Sequence, residues 1–321
     1  MHIPVLTKEV IEYLNPKPNE NFIDCTIGQG GHSKLILEKT GPEGKILGID
    51  LDPQQVENTK LQLADFKERI VLVNDSYSNL KDIVEKVNFK TVNGILLDLG
   101  MSSEQLEEAG RGFSFQKDEL LDMRYNSEIP NPKSQIPNLT AEEIVNNWPE
   151  KEIERIFKEY GEERFARQIA NKITEERKIK KINSTFQLVE IIKKAIPAKF
   201  QYGKTHFATR AFQALRIAVN DELNNLIEVL PQIISVLSPG GRVVIISFHS
   251  LEDRIVKNFF REKQKEEAIY PVKYREAVIS PEAKLFNRVK ILTKKPITAD
   301  PEELNKNFRS RSAKLRAAIK I

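Results

Sequence analysis

Short apolar runs alternate with amphipathic stretches along the first hundred residues, and the alternation resumes after residue 207. Short apolar runs bounded by glycine, proline and polar residues are typical of buried strands, and the stretches between them have helical spacing. The pattern predicts seven strands, at 22–25, 45–49, 69–73, 92–99, 242–248, 285–292 and 312–319. Strands that alternate with helices in this way predict an α/β fold with a mostly parallel sheet.

Residues 106–206 interrupt this alternation, and we find no strand pattern among them. Their apolar spacing predicts four helices, at 141–147, 150–159, 162–177 and 185–195. We therefore expect an inserted all-helical domain at 106–206, within a sheet domain formed by 1–105 and 207–321. An insertion after the fourth strand projects over the carboxyl ends of the parallel strands, where ligands bind, so we expect it to recognise the substrate.

A glycine-rich turn, residues 26–31, joins the first strand to the helix that follows it. Glycine allows close approach of a ligand and positive φ angles, and a helix N-terminus presents N–H groups without partners. Asp50 ends the second strand, 22 residues after Gly28, near the spacing at which an acid binds ribose hydroxyls. The unit therefore predicts a nucleotide-binding site.

The residues around the turn narrow the choice of nucleotide. Residues 28–33 read GQGGHS, which lacks the last glycine of the G-x-G-x-x-G fingerprint of dinucleotide-binding folds. Asp24, at the end of the first strand, suits the ammonium of an amino acid better than a pyrophosphate. S-adenosylmethionine (SAM) carries such an ammonium, so the turn, Asp24 and Asp50 favour a SAM site. A purely structural glycine turn and an NAD site stay open as alternatives.

Polar residues also follow the other predicted strands. After the third strand, Asp75 can accept the amine of an adenine, and Tyr77 can cover the adenine ring or simply pack the loop. Asp98 ends the fourth strand, across the switch point from the first, so we expect it near the reactive end of the cofactor. An acceptor there can localise the lone pair of an exocyclic amine, although an aspartate that only caps the next turn stays open. His249, after the fifth strand, can either contact the substrate or have a purely structural role.

Composition and charge narrow the class of protein only a little. The 321 residues are 40% hydrophobic and 30% charged, as in ordinary globular proteins, and no apolar run reaches the roughly 20 residues of a membrane helix. Cys25 is the single cysteine, which excludes an internal disulfide and a cysteine zinc cluster, and we expect no metal. The N-terminus has no signal-peptide pattern, so we expect a cytoplasmic protein.

The net charge is only +4, but its distribution is uneven. Basic stretches at 164–181 and 309–321 are each compatible with an ordinary solvated surface. Together, beside a nucleotide site, they modestly favour an RNA or DNA substrate.

Ten motifs, in order along nearly the whole chain, match one known family. They are HIPVL (2–6), GGHS (30–33), GIDLDP (48–53), GILLDLGMSSEQL (94–106), RGFSF (111–115), LDMR (121–124), YGEERFARQIA (160–170), TRAFQALRIAVNDEL (209–223), ISFHSLEDRIVK (246–257) and RSAKLRAA (311–318). On these motifs the chain resembles the bacterial RsmH (MraW) family, the N4-cytosine methyltransferases of 16S ribosomal RNA.

The resemblance implies a class I SAM-dependent methyltransferase, Rossmann-like, with SAM as the methyl donor. Its implied target is the exocyclic N4 amine of a cytidine in the decoding centre of 16S rRNA, in an assembled or nearly assembled small subunit. No membrane partner is implied, and a homodimer is compatible with the resemblance. By similarity, the SAM-contacting residues are Gly30, Gly31, His32, Asp50, Tyr77, Asp98 and Gln105.

The sequence departs from the family pattern mainly around the glycine turn. Cys25, Ile27 and Gln29 replace the usual glycine, aromatic residue and arginine. Tyr77 stands where phenylalanine is common, and Phe207 stands where proline is common. None of these changes removes a hydrogen-bonding group from the SAM-contacting positions, and the effect of Cys25, Ile27 and Gln29 on the shape of the turn stays open.

We expect direct in-line methyl transfer, with Asp98 as the one catalytic side chain, because the target amine is itself the nucleophile. Two other functions stay open. A non-catalytic, SAM-binding ribosome assembly factor would keep Asp50 but transfer no methyl group. An NAD-dependent oxidoreductase would use the same βαβ unit with a different cofactor.

Overall fold

The computed structural model describes residues 4–101, 110–126, 138–203, 205–265 and 288–321. The chain forms two compact units, which we call the sheet unit and the helical unit. The sheet unit comprises residues 1–100 and 224–321, and the helical unit comprises 101–223. The sequence placed these boundaries at 105 and 206, so the second one falls later in the structure than expected.

The sheet contains seven strands: β1 Asn21–Asp24, β2 Ile46–Asp50, β3 Ile70–Asn74, β4 Val92–Asp98, β5 Leu237–Ser247, β6 Val289–Ile291 and β7 Lys314–Lys320. Their order is β3-β2-β1-β4-β5-β7-β6. The strands β1 to β5 pair in parallel, whereas β7 is antiparallel to both β5 and β6. The predicted seven-stranded sheet of a class I methyltransferase is therefore confirmed.

The helices of the described residues are α1 Thr7–Leu14, α2 Gly31–Lys39, α3 Pro53–Gln62, α4 Leu80–Lys86, α5 Ala141–Asn147, α6 Glu150–Glu159, α7 Ala166–Ile179, α8 Thr185–Ala195, α9 Thr209–Asn220, α10 Glu222–Val236, α11 Ser250–Lys265 and α12 Pro301–Lys306. Among them, no helix combines the length and the apolar character needed to cross a membrane.

The strand order reverses between β1 and β4. From β1 the chain moves outward to β2 and β3, and it then returns to the other side of β1 as β4. Loops on the two sides of such a reversal leave a crevice at the carboxyl ends of the strands, which is where ligands bind in open α/β sheets. The switch point thus fixes where the candidate site of the sheet unit lies.

Apolar layers cover both faces of the sheet. In β1, Phe22 packs in the layer that contains residues of α1 and α2, and Ile23 packs in the opposite layer with residues of α4, α10 and α11. The same alternation separates Leu96 from Ile95 in β4, as the two-residue repeat of a strand requires. Because both faces are covered, the central residues of both strands, Phe22-Ile23 in β1 and Ile95-Leu96-Leu97 in β4, are apolar.

The helical unit has an apolar core of its own, built from residues of α5 to α9. Helix α9 contacts α5 and α6, which is why the boundary falls after residue 206. At the far end of α9, Arg216 makes two hydrogen bonds to the Glu222 carboxylate, at 2.8 and 2.9 Å. Tyr125 Oη donates to the same carboxylate at 3.0 Å. The Arg216–Glu222 pair therefore holds the loop around residue 125 at the end of α9.

Candidate functional site

Three aspartates end three adjacent parallel strands of the sheet unit. Asp24 ends β1, Asp50 ends β2 and Asp98 ends β4. In the strand register, Asp24 lies opposite Gly48 and Leu96, so the other two acids extend two residues further along their strands. All three therefore border the crevice at the switch point, where the sequence placed the cofactor.

The Asp50 carboxylate holds the glycine turn. Its Oδ2 accepts a hydrogen bond from Gly28 N at 2.9 Å, and its Oδ1 accepts one from Asp52 N at 2.9 Å. Gly28 and Gly30 have φ angles of 49° and 73°, a region that glycine enters at little cost. A Cβ at position 30 would also lie 2.9 Å from Leu63 Cδ1, so the turn depends on glycine for space as well.

Burial raises the pKa of Asp50 to about 6, and the neighbouring carboxylates of Asp52 and Asp24 contribute to the rise. The two backbone N–H donors lower the pKa but do not cancel the effect of burial. Hydroxyl groups that donate to this carboxylate would favour its ionised form. The site is therefore suited to a ligand that brings hydroxyl donors.

Asp24 faces the interior of the sheet unit, and only 2% of it is exposed. Its Oδ2 accepts a hydrogen bond from Ser33 Oγ at 2.7 Å, and its Oδ1 accepts one from Thr26 N at 3.2 Å. Burial raises the pKa of this carboxyl, with the hydrogen bond from Ser33 as the main opposing effect. Asp24 thus ties the turn to α2 and has almost no surface to offer the ligand ammonium that the sequence assigned to it.

Asp98 and His32 bring polar atoms without partners to one place. Asp98 N donates to Thr26 Oγ1 at 2.7 Å, which fixes the end of β4 against the turn. Asp98 Oδ2 lies 3.6 Å from His32 Nε2, and His32 is only 6% exposed. Among the described residues, Asp98 Oδ1 and both His32 ring nitrogens have no hydrogen-bond partner. Buried polar atoms are nearly always paired, so this group indicates a place prepared for a ligand or for water.

Tyr77 begins a short 3-10 turn directly after β3. Its ring is partly buried and packs against the apolar layer that contains Ile23. Asp75 accepts two hydrogen bonds from neighbouring N–H groups, both through Oδ1. The structure therefore shows Tyr77 packed against the sheet unit, as the structural interpretation predicts. The position of Tyr77 at the carboxyl end of β3 also suits contact with a flat ring.

Comparison with known proteins decides the family. The model of the MraW methylase family matches residues 1–321. The chain belongs to the MraW methylase family. Ribosomal RNA small subunit methyltransferase H of Heliobacterium mobile is 46% identical over 321 residues, covering 100% of this chain and 99% of that protein. The protein of the same name from Clostridium botulinum (strain Loch Maree / Type A3) is 47% identical over 320 residues, with coverage of 100% and 99%.

Solved structures have a weaker likeness to this MraW methylase. An rRNA methylase from Streptococcus thermophilus is 10% identical with a TM-score of 0.40, covering 98% of this chain and 93% of that chain. A likeness of this size carries no information on function, and the fold assignment stands on the strand order.

Most of the positions that the family resemblance selected lie together in this MraW methylase. Those that border the carboxyl ends of β1, β2 and β4 are Gly30, Gly31, His32, Asp50 and Asp98. Tyr77 lies one strand further out, after β3. Gln105 lies outside the described residues.

Two of the departures from the MraW pattern are buried beneath the turn. Cys25 packs in the apolar layer of Ile23, and burial raises the pKa of its thiol. Ile27 is buried as well, and a Cβ at Gly48 would collide with its side chain. The isoleucine therefore rests directly on the backbone of β2, so it shapes the turn by packing rather than by hydrogen bonding.

Three hydroxyl residues around the turn were not selected from the sequence. Thr26 accepts the Asp98 N–H, Ser33 donates to Asp24, and Thr59 Oγ1 donates to Gly28 O. The first two stand inside or next to the glycine turn, so a search for hydroxyls beside it would have found them. Thr59 comes from α3, and no local pattern in the sequence connects it to the turn.

His249 lies at the start of α11 and has a local partner. Its Nε2 is 3.2 Å from Glu252 Oε1, and Glu252 Oε2 accepts a hydrogen bond from Phe248 N at 2.8 Å. These contacts fasten the end of β5 to α11. They give His249 a structural role, but its Nε2 is buried with no hydrogen-bond partner among the described residues, so the substrate-binding interpretation stays open.

Proposed function

We propose that this MraW methylase transfers a methyl group from SAM to the N4 amine of a cytidine in the decoding centre of 16S rRNA. Two relatives named ribosomal RNA small subunit methyltransferase H, which match over the full length, support an rRNA substrate in the small subunit. Such a substrate implies action in the cytoplasm. A homodimer, implied only by the family resemblance, stays a prediction.

The residues at the switch point fit SAM. Gly28 leaves room for the close approach of a ligand at the N-terminus of α2, because a Cβ there would meet only Thr26 O, at 3.9 Å. Asp50 offers carboxylate oxygens to the ribose hydroxyls, as an acid at the end of a second strand does in related folds. Tyr77 would lie against the adenine. His32 and Gly31 complete the inner side of the site, and Gln105 stays a predicted contact.

The observation that carries the catalytic part is the buried Asp98 Oδ1, which has no partner among the described residues. When bound, SAM supplies an electrophilic methyl group. Asp98 accepts a hydrogen bond from the N4 amine, which localises the nitrogen lone pair that is otherwise delocalised into the cytosine ring. The amine is then held in line with the methyl group, and this positioning supplies most of the rate enhancement.

His32 acts on the target through Asp98. Its Nε2 lies 3.6 Å from Asp98 Oδ2, so it favours one orientation of the carboxylate. The Thr26 hydroxyl anchors the backbone of the same aspartate. Together they hold the aspartate in one place, from which Oδ1 would accept the hydrogen bond of the amine, and His32 is therefore a positioning residue.

Calorimetric titration with SAM tests the proposal, with NADH as the rival ligand. Asp50→Ala should weaken SAM binding about tenfold or more, because the ribose hydroxyls lose charge-assisted hydrogen bonds. Asp65→Ala is the matched control, since Asp65 is exposed and lies in the 3-10 turn that precedes β3. We expect the control to bind SAM like the wild type and NADH not to bind.

The possible outcomes separate the competing functions. SAM binding together with methyl transfer to small subunits supports the proposal. SAM binding without any transfer would favour a non-catalytic assembly factor. Binding of NADH instead of SAM would favour an oxidoreductase and contradict the proposal at its centre.

A further inference from the structure

Aromatic and cationic side chains cluster on the surface of the helical unit. The Arg164 guanidinium carbon lies 5.6 Å from the ring centroid of Phe165 and 5.0 Å from that of Phe200. The two rings are 5.2 Å apart and tilted by 50°. Lys199 Nζ lies 5.1 Å from the Phe200 centroid. We call these four residues the Arg164–Phe200 cluster.

The cluster is accessible, and its charges are not neutralised. Phe200 is 39% exposed, and the neighbouring Tyr202 is 85% exposed. Among the described residues, no carboxylate forms an ion pair with Arg164 or Lys199. Some exposed cations of the same unit, such as Arg155 and Lys181, do have glutamate partners. The cluster therefore combines two cations that have no carboxylate partner among the described residues with the aromatic rings that they overlie.

The backbone around the cluster is held in place by specific hydrogen bonds. Residues 198–200 form a 3-10 turn after α8, and Gln201 Nε2 donates to Lys193 O at 2.9 Å and Ile196 O at 2.8 Å. On the other side, Phe165 N donates to the buried carboxylate of Glu163 at 2.8 Å. The two segments are thus fixed before any partner arrives, which lowers the entropic cost of binding.

We propose that the Arg164–Phe200 cluster binds a single-stranded part of the RNA substrate, which rests on the proposed function. An unpaired base stacks on the exposed Arg164–Phe200 face, and Arg164 and Lys199 contact the adjoining phosphates. Proteins recognise unpaired RNA bases by stacking them on aromatic rings and guanidinium planes, within a positively charged surface. An acidic peptide would match the charges but would leave the ring faces without a role.

Fluorescence anisotropy with the full-length protein tests the proposal. The probe is a labelled, unstructured RNA of 12 nucleotides at fixed salt concentration. Phe200→Ala should weaken binding about tenfold, which is within the range for loss of one base stack. Phe186→Ala is the matched control, because Phe186 is 45% exposed in the same unit and has no cation over its ring among the described residues. Phe200→Trp should restore binding.

The salt dependence of binding separates stacking from charge. Arg164→Gln and Lys199→Gln should each reduce the slope of log affinity against log salt by about 0.7, the value for one phosphate contact on a single strand. Phe200→Ala should lower the affinity and leave this slope unchanged. If Phe200→Ala binds RNA as well as Phe186→Ala does, the proposal is wrong. Equally effective competition by polyglutamate would also overturn it, in favour of an acidic protein partner.

Failure of this inference can be told apart from failure of the proposed function. Calorimetry on Phe200→Ala and Arg164→Gln should give the SAM affinity of the wild type, since neither residue belongs to the cofactor site. In methyl transfer, both variants should raise KM for RNA with little change in kcat. If the wild type does not bind SAM, the proposed function is wrong. If both variants keep the activity and the KM of the wild type, only the RNA-binding role of the Arg164–Phe200 cluster is wrong.

Discussion

Asp24, Asp50 and Asp98 are the same residue type at the ends of three adjacent strands, but their surroundings differ. Asp24 is buried and accepts hydrogen bonds from Thr26 and Ser33, so it serves the turn. Asp50 is held by two backbone N–H groups, and burial raises its pKa to about 6. Asp98 keeps one buried oxygen without a partner among the described residues. The sequence could select all three by position, but only the side-chain contacts separate their roles.

Asp98→Ala should reduce the single-turnover rate of methyl transfer at saturating SAM by about a hundredfold, since the target amine loses the group that positions it. Asp98→Asn keeps the size and one acceptor oxygen, so its rate should lie between those of alanine and the wild type. Rapid-quench measurement of labelled methyl transfer gives both rates. A wild-type rate in Asp98→Ala would show that Asp98 does not orient the amine.

The raised pKa of Asp50 predicts the pH dependence of SAM binding. The free protein takes up a proton at Asp50 as the pH falls through about 6, and hydrogen bonds from ribose hydroxyls favour the ionised carboxylate. The SAM dissociation constant should therefore rise by up to about tenfold per unit below pH 6 and level off as the pH approaches 7. Calorimetry between pH 5 and 7 checks this.

Asp50→Asn is the control for the pH dependence, because it keeps the shape of the side chain and cannot titrate. Its SAM affinity should be lower than that of the wild type at pH 7 and nearly independent of pH. If the variant keeps the full pH dependence, another group, such as Asp24 or His32, is responsible.

At the scale of elements, hydrophobic periodicity located most helices and strands. The predicted helices at 141–147, 150–159 and 185–195 coincide with α5, α6 and α8. Ser238-Pro239-Gly240-Gly241 reads as a turn, but these residues belong to β5, which begins at Leu237 opposite Val92. Within β5 they form an irregularity, because the pair of Val92 with Leu237 is followed directly by the pair of Gly94 with Arg242. Gly240 has a φ angle of 77° there, so the local turn signal is expressed within the strand. The apolar face of α9 does not indicate which unit it packs against, so the periodicity alone does not assign α9 to the helical unit.

Gly161 fixes the crossing of α6 and α9. A Cβ at this position would lie 2.6 Å from Arg210 O and 2.7 Å from Phe157 O, both backbone atoms. Gly161→Ala should therefore force the helices apart and destabilise the helical unit by about 1–3 kcal/mol. The shift of the urea midpoint, followed by the fluorescence of Trp148, measures the loss, because Trp148 is the single tryptophan and packs against the core of this unit.

Gly203→Ala is the matched control in the same unit, since its Cβ would have ordinary contact only, at 3.7 Å from Thr205 O. We expect it to change the urea midpoint little. Equal midpoints for both variants would mean that α6 and α9 can separate at no cost, contrary to the packing described.

At the scale of the whole molecule, the order and number of the sequence motifs predicted the family, which no single motif did. The glycine turn alone left a structural role and an NAD site open, and a net charge of +4 says little about RNA. The family match over residues 1–321 and the strand order agree on a methyltransferase. Contacts such as those of Arg164 with Phe200 join segments 36 residues apart in the chain, so no local pattern could have revealed them.

Methyl transfer to isolated small ribosomal subunits that lack the modification tests the central claim most directly. The protein is incubated with methyl-labelled SAM, and the 16S rRNA is digested to nucleosides and separated by mass. We predict one labelled N4-methylcytidine per subunit, from the decoding centre, and labelling about a hundredfold slower with Asp98→Ala. Label in another nucleoside, or no label from a protein that binds SAM, would contradict the proposed function.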